Sequence, residues 1–215
     1  MTTLRLHSYF RSSTSVRVRV ALALKGLAYD YVSWNLRAGE QSSEAYRAVN
    51  PQGLVPALEV DGLALTQSLA IVEYLDERFP NPPLLPTDAA GRARVRAFAG
   101  MIGCDIHPLN NLRVLRQLEA RFAAGPEAQA DWFRHWVGET FPALEHMLAA
   151  SPATGRFCHG DIPGLADICL YAQVLNNARF GIATDDWPTI GRIHAACADL
   201  EPFRLAAPGL QPDAV

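Results

Sequence analysis

The sequence predicts an α/β N-terminal half followed by an all-helical C-terminal half, on three observations. Near the N-terminus the apolar residues first alternate with the two-residue period of a strand and then, within a few positions, recur at helical spacing. Pro80, Pro82, Pro83 and Pro86 form the only proline-dense stretch inside the chain, where a helix cannot continue. Beyond it, each long segment carries apolar residues three and four apart. The expected division is a first domain over 1–82, a linker over 83–90 and a helical domain over 91–215, with a ligand cleft between the two domains.

The elements follow in order. Leu4 to Phe10 sets Leu4, Leu6, Ser8 and Phe10 on one face and Arg5, His7 and Tyr9 on the other, as a short strand does. From Val16 the stripe becomes Val16, Val20, Ala23 and Leu24, with Arg17 and Arg19 off it, and Lys25-Gly26 stops the helix. Tyr29 to Trp34 is a second strand, and a strand-helix-strand unit of this length favours a parallel pair. A polar stretch over Gly39 to Ser43 leads into a short helix through Ala48, closed by Asn50-Pro51. Ala57 to Val60 and Leu63 to Leu65 flank Asp61-Gly62, a hairpin dipeptide. Ser68 then caps a helix with the stripe Leu69, Val72, Leu75 and Phe79. The order βαβ-ββα is the thioredoxin-like arrangement with a mixed sheet. The helical half is expected to comprise 91–123, 126–150, 165–180 and 188–200, with a partly ordered tail after Glu201.

Composition narrows the function. In 215 residues, 49% hydrophobic, an ordinary core needs no disulfide or metal staples. Nineteen basic and 22 acidic residues leave a net charge of -3, which provides no field for a nucleic-acid backbone or an anionic bilayer. No apolar run approaches the ~20 residues that span a membrane, and Met1 to Phe10 lacks the apolar core of a secretion signal, so a cytoplasmic protein is expected. Lys25 is the single lysine against 18 arginines, a ratio that GC-rich codon usage explains. Cys104, Cys158, Cys169 and Cys197 stand at wide spacings that suit buried free thiols, and no metal site is expected.

The first 103 residues contain no cysteine. The loop before the first helix, where a thioredoxin-like redox enzyme holds its thiol, carries Ser12, Ser13, Thr14 and Ser15. The run Arg11-Ser12-Ser13-Thr14-Ser15-Val16-Arg17-Val18-Arg19-Val20-Ala21-Leu22 resembles the signature of zeta-class glutathione transferases, S-S-C-x-W-R-V-R-I-A-L. Asn50-Pro51-Gln52-Gly53-Leu54-Val55-Pro56-Ala57-Leu58 and Gln67-Ser68-Leu69-Ala70-Ile71 resemble the two glutathione-contact motifs of that family. Gly103-Cys104-Asp105-Ile106-His107-Pro108-Leu109-Asn110-Asn111 is similar to the corresponding stretch of bacterial maleylacetoacetate and maleylpyruvate isomerases. The likeness covers nearly the whole chain and implies the glutathione transferase fold, a homodimer, and glutathione as the cofactor that brings the missing thiol.

It also implies roles for particular residues. Val55 precedes a proline whose bond is cis in the family, which exposes the Val55 N–H and C=O to the cysteinyl unit of glutathione. Gln67 and Ser68 stand at a helix start, where N–H groups and the dipole favour the γ-glutamyl carboxylate; Ser68 also suits a plain N-cap. Gln41 and Gln52 supply further polar contacts. Ser12 is the first candidate for activating the sulfur, with Thr14 assisting and Ser13 beside them, although each hydroxyl equally suits capping of the helix. Thr14 replaces the cysteine usual in the family. From the helical half the likeness brings Asp105, His107 and Asn111 to glutathione, the last two four apart on one helix face. Arg11 and Arg179, with Arg113 as a third, are the permanently charged forks that a small dicarboxylate needs. In Gly160-Asp161-Ile162-Pro163-Gly164-Leu165-Ala166-Asp167, Asp167 is a folding residue that caps a buried helix, with Gly164 lacking the reciprocal hydroxyl.

The activity so implied is glutathione-dependent cis-trans isomerisation of maleylpyruvate or maleylacetoacetate to the fumaryl isomer, by reversible thiolate addition, in gentisate or homogentisate catabolism. Two alternatives share the glutathione site. One is a transferase or dehalogenase that conjugates electrophiles, and the other is a catalytically poor glutathione-binding stress protein.

Overall fold

Four strands, β1 (Leu4–Ser8), β2 (Asp30–Ser33), β3 (Ala57–Val60) and β4 (Leu63–Thr66), form one mixed sheet in the order β2-β1-β3-β4 in the computed structural model, which describes residues 3–214. β1 and β2 are parallel, with Leu6 opposite Tyr31, and are joined through α1 (Ser13–Leu24), the crossover that parallel neighbours require. β3 runs antiparallel to both β1 and β4. Asp61 and Gly62, at φ 49° and 81°, close the β3–β4 hairpin in the conformation that Asp-Gly favours. α2 (Glu44–Val49) is capped by Ser43, and α3 (Ser68–Arg78) follows β4. Ser68 is the first residue of α3 and not its cap; the cap position is Gln67, whose side chain makes no capping bond.

Several polar side chains are buried. β1 is an inner strand, so His7, on the face opposite Leu6, and Ser8, on the same face as Leu6, are both covered, while Arg5 remains exposed. On α1, Arg17 and Arg19, which the spacing set apart from the apolar stripe, are each 1% exposed. Arg19 is tolerated there because its planar fork meets acceptors. Its Nε and Nη2 donate to the Ala206 carbonyl at 3.1 and 2.9 Å, its Nη2 to the Phe10 carbonyl at 3.0 Å and its Nη1 to Ser8 Oγ at 3.1 Å. The single lysine is buried too: Lys25 Nζ lies 2.7 Å from Asp76 Oδ1 and donates to the Pro82 carbonyl.

The chain forms two compact units, one up to Leu84 together with the segment from Ala198 onward, the other Leu85–Cys197. This corrects the sequence division, which gave everything after residue 91 to the helical domain and a partly ordered tail. The tail instead forms α9 (Glu201–Leu205) and a 3-10 turn over Pro208–Leu210 within the first unit, because its Ala206 carbonyl is the acceptor of the buried Arg19.

The second unit comprises α4 (Ala89–Gly100), a π-helical turn over Met101–Ile106, α5 (Leu112–Phe122), α6 (Pro126–Ala149) and α7 (Leu165–Ala178), with α8 (Pro188–Ala198) running to its boundary. The single helix expected over 91–123 is thus broken. Pro108 has no N–H to extend the ladder, and the chain turns before Asn111 restarts it as the N-cap of α5. The central α7 is buried from Leu165 to Val174, which its apolar sequence anticipates. Its start is held by Asp167, whose Oδ2 accepts from the Gly164 N–H at 2.9 Å and whose Oδ1 accepts from the Cys158 N–H at 2.7 Å. Cys158, Cys169 and Cys197 are buried and in no disulfide, whereas Cys104, expected to be buried, is exposed on the π-helical turn. Among the described residues no helix is long and apolar enough to cross a membrane.

Candidate active site

The strand register gathers the first group of candidate residues at one edge of the sheet. His7 pairs with Ala57, Ala57 with Thr66, and Ser8 with Ser33. The loop after β1, the segment before β3, the residue after β4 and the connection after β2 therefore leave the sheet on the same side. These are the segments that carry Arg11 to Thr14, Val55, Gln67 and Gln41.

At the start of α1 the hydroxyls form a relay. Thr14 Oγ1 donates to the Val55 carbonyl at 3.0 Å, which commits its one proton. The 2.8 Å contact between Ser12 Oγ and Thr14 Oγ1 then has Ser12 as donor, while Ser12 Oγ accepts from the Ser15 N–H at 3.3 Å as the N-cap of α1. Ser12 therefore caps the helix and still holds a proton that can be turned from Thr14 to a bound anion. Thr14 can do so only by giving up Val55. Ser13 is buried at the first helical position, and Arg11 is partly exposed, its guanidinium 5.0 Å from the Phe10 ring centroid.

The Val55-Pro56 peptide is cis, as the likeness implied, but the Val55 carbonyl is already engaged by Thr14. The turn before it is fixed by Tyr46 Oη and Asn50 Nδ2, which both donate to the Leu54 carbonyl at 2.6 Å. Gly53 is required in this turn: it has φ 63°, and a Cβ there would lie 2.9 Å from the Gln41 carbonyl oxygen. Gln41 is thereby placed against the turn, and its buried Oε1 has no hydrogen-bond partner. Gln67 Nε2 donates to Gln52 Oε1 at 2.9 Å, which joins the two glutamines across the sheet edge. Gln67 also holds a strained backbone, φ 68° and ψ 110°, of the kind that recurs at ligand sites.

The motifs do not single out Arg17. Its Nη1 donates to Ser68 Oγ at 3.2 Å at the N-terminus of α3, and its Nε and Nη2 are buried with no partner. The available signal was an arginine inside the apolar run of α1, where burial on a two-sided helix demands an anion or acceptors.

In the second unit His107 ends the π-helical turn and Asn111 caps α5, so the two do not share one helix face as expected. They still approach, with Asn111 Nδ2 and His107 Nε2 3.4 Å apart, and Asn111 Oδ1 accepts from the Arg113 N–H at 3.1 Å. Asp105 and the Arg113 side chain are exposed. Arg179 is the C-cap of α7 and is exposed, with Nη1 donating to Asn176 Oδ1 at 2.9 Å and the guanidinium 5.7 Å from the Phe180 ring centroid.

Comparison with known proteins gives a consistent likeness. The family profile "Glutathione S-transferase, N-terminal domain" matches residues 6–83. A maleylacetoacetate isomerase of Pseudomonas aeruginosa is 47% identical, over 98% of this chain and 98% of its own. A holo structure of maleylpyruvate isomerase, described as a bacterial zeta-class glutathione S-transferase, superposes with TM-score 0.96 at 46% identity, over 98% of this chain and 100% of that one. A maleylacetoacetate isomerase from Anaeromyxobacter dehalogenans, solved with glutathione bound in its active site, gives TM-score 0.89 at 47% identity, covering 100% of this chain and 99% of that one.

Proposed function

The chain belongs to the glutathione S-transferase family, and on that premise we propose that it is a glutathione-dependent cis-trans isomerase converting maleylpyruvate or maleylacetoacetate to the fumaryl isomer. The observation that carries this reading is the hydroxyl relay of Ser12 and Thr14 at the start of α1, in a unit whose sheet-edge loops contain hydroxyls and no thiol.

The residues present fit glutathione. A buried, unpartnered Gln41 Oε1 is an acceptor awaiting a donor. At the N-terminus of α3, the free N–H groups, Ser68 and the two unpartnered nitrogens of Arg17 are donors awaiting an anion, and a carboxylate answers them. Gln52, Gln67 and the Val55 backbone line the sheet edge between these points. When bound, glutathione supplies the thiolate that adds reversibly to the substrate double bond and so permits its rotation. The work of the protein is to hold that sulfur charged and the substrate oriented. Ser12, turned from Thr14, donates to the thiolate, and the positive end of α1 lowers the cost of its charge. Thr14 keeps the Val55 carbonyl in place.

Arg11 and Arg179, with Arg113, are proposed to hold the two carboxylates and any enolate charge that develops. Asp105, His107 and Asn111 are proposed as further glutathione contacts. A cytoplasmic homodimer is the proposed form, supported by the family likeness.

The test is product analysis with glutathione and each maleyl substrate, together with Arg179→Ala. The fumaryl isomer should form, and absence of isomerisation would overturn the reading. Loss of a charge-assisted fork is worth about 1.5–3 kcal/mol, so R179A should lower kcat/KM for the dicarboxylate roughly 10- to 100-fold. The KM for glutathione should stay nearly constant; equal losses for both would tell against Arg179 as a substrate anchor.

A further inference from the structure

We propose that Asp213, at the opposite end of the chain from the hydroxyl loop, is a positioning residue that fixes this loop for activation of the glutathione sulfur. Its Oδ2 accepts from the Phe10 N–H at 3.0 Å, and Phe10 immediately precedes Arg11 and Ser12. Its Oδ1 accepts from Tyr31 Oη at 2.6 Å, on the strand beside β1. The carbonyl of the same Phe10 accepts from Arg19 Nη2 at 3.0 Å. A carboxylate on its N–H and a guanidinium on its C=O thus hold one residue from both sides, through charge-assisted bonds stronger than neutral ones.

The tail that carries Asp213 is itself anchored. Gln211 Nε2 donates to the carbonyls of Leu205 and Ala207 at 2.8 and 2.9 Å, the Ala214 N–H donates to the Gln211 carbonyl at 3.0 Å, and Ala214 packs on the cluster of Tyr9, Phe10, Tyr46 and Val55. Arg19 closes the clamp through its two bonds to the Ala206 carbonyl. The loop completes the arrangement with the Ser12 N–H donating to the Tyr9 carbonyl at 3.0 Å. Ser12 is therefore aimed by a network that ends on residues 206 to 214. A hydroxyl that must meet a sulfur within a fraction of an ångström depends on such a rigid second support. Burial, reinforced by the bond to Asp213, pushes the Tyr31 phenol up, so it remains a donor throughout the working pH range.

This inference rests on the glutathione reading, and the experiment separates their failures. The ultraviolet absorbance of bound thiolate is titrated with glutathione alone, and kcat/KM is followed against pH. Wild type should show a titration; its absence would remove the glutathione reading itself. Asp213→Ala should raise the thiolate midpoint by roughly 0.5–1 pH unit and lower kcat/KM several-fold near neutrality. Asp213→Asn, isosteric and able to accept from the Phe10 N–H through its one oxygen, keeps the contact that holds the loop although its amide turns the Tyr31 hydroxyl into an acceptor, and should restore most of the midpoint. Asp213→Glu keeps the charge but moves the acceptor by one methylene, and should raise the midpoint as D213A does. A role confined to stability would lower the thermal midpoint of these variants and leave the thiolate midpoint in place, and that result overturns the proposal. A wild-type midpoint in D213E with a raised one in D213N would overturn it as well, since charge and not position would then be the cause.

Discussion

Ser12→Ala is expected to lower kcat/KM for isomerisation roughly 100- to 1000-fold, the loss that follows removal of one preorganised donor to a reacting anion. Its direct readout is the thiolate midpoint of bound glutathione, which should rise toward the value of the free thiol. The geometry sets Ser12 above Thr14. Ser12 is the hydroxyl whose proton is held only by a neighbouring hydroxyl, whereas the Thr14 proton is committed to the Val55 carbonyl. Thr14→Ala should accordingly cost about tenfold, within the range of a misplaced support and below that of a lost donor. Ser12 also caps α1, and the cap is worth about 1 kcal/mol, so S12A should be slightly less stable yet folded. Comparable losses in the two variants, with the thiolate midpoint unchanged in S12A, would reassign the activation elsewhere.

The largest effect on stability is expected at Asp167. The residue is 2% exposed and satisfies two backbone N–H groups at once, those of Gly164 and Cys158. Asp167→Ala leaves the buried Cys158 N–H and the half-buried Gly164 N–H without their acceptor at the entry to α7, and each loss costs about 1–3 kcal/mol. A total of about 3–5 kcal/mol is a large part of the margin of a typical protein and is measurable as a shift of the denaturant midpoint. Asp167→Asn keeps one acceptor and should recover about half. Gly164 cannot supply the reciprocal half of a capping box, so the start of α7 depends on this one carboxylate. A loss below about 1 kcal/mol in D167A would show that the two bonds are replaced by other partners.

What the sequence discloses divides by distance along the chain. The hairpin at Asp61-Gly62 was legible because two adjacent residues with positive φ are enough to set it. The βαβ-ββα order was legible because each element carries its own period. Burial of Arg17 and Arg19 was not, since it depends on acceptors contributed from elsewhere: Ser68 Oγ for one, and for the other a carbonyl 187 positions away. The return of the tail to the first unit was hidden for the same reason. The break between His107 and Asn111 could be read from Pro108, but the apolar spacing on either side masked it. At the candidate site, the motifs named Ser12, Thr14 and Val55 together, while their order in the relay needed coordinates. The Asp61-Gly62 turn fixes the Ala57–Thr66 register and so the place of Gln67, but the approach of Gln52 to it depends on the turn before Pro56, which no local pattern specifies.

In the proposed reaction the sulfur of glutathione is lent and returned. Maleylpyruvate supplied in large excess over glutathione, with free thiol and product followed together, tests it most directly. Complete conversion to the fumaryl isomer, with the free glutathione recovered at the end, is the predicted result. Conversion that stops when one product has formed per glutathione, with loss of the free thiol, would contradict it and make the protein a conjugating transferase.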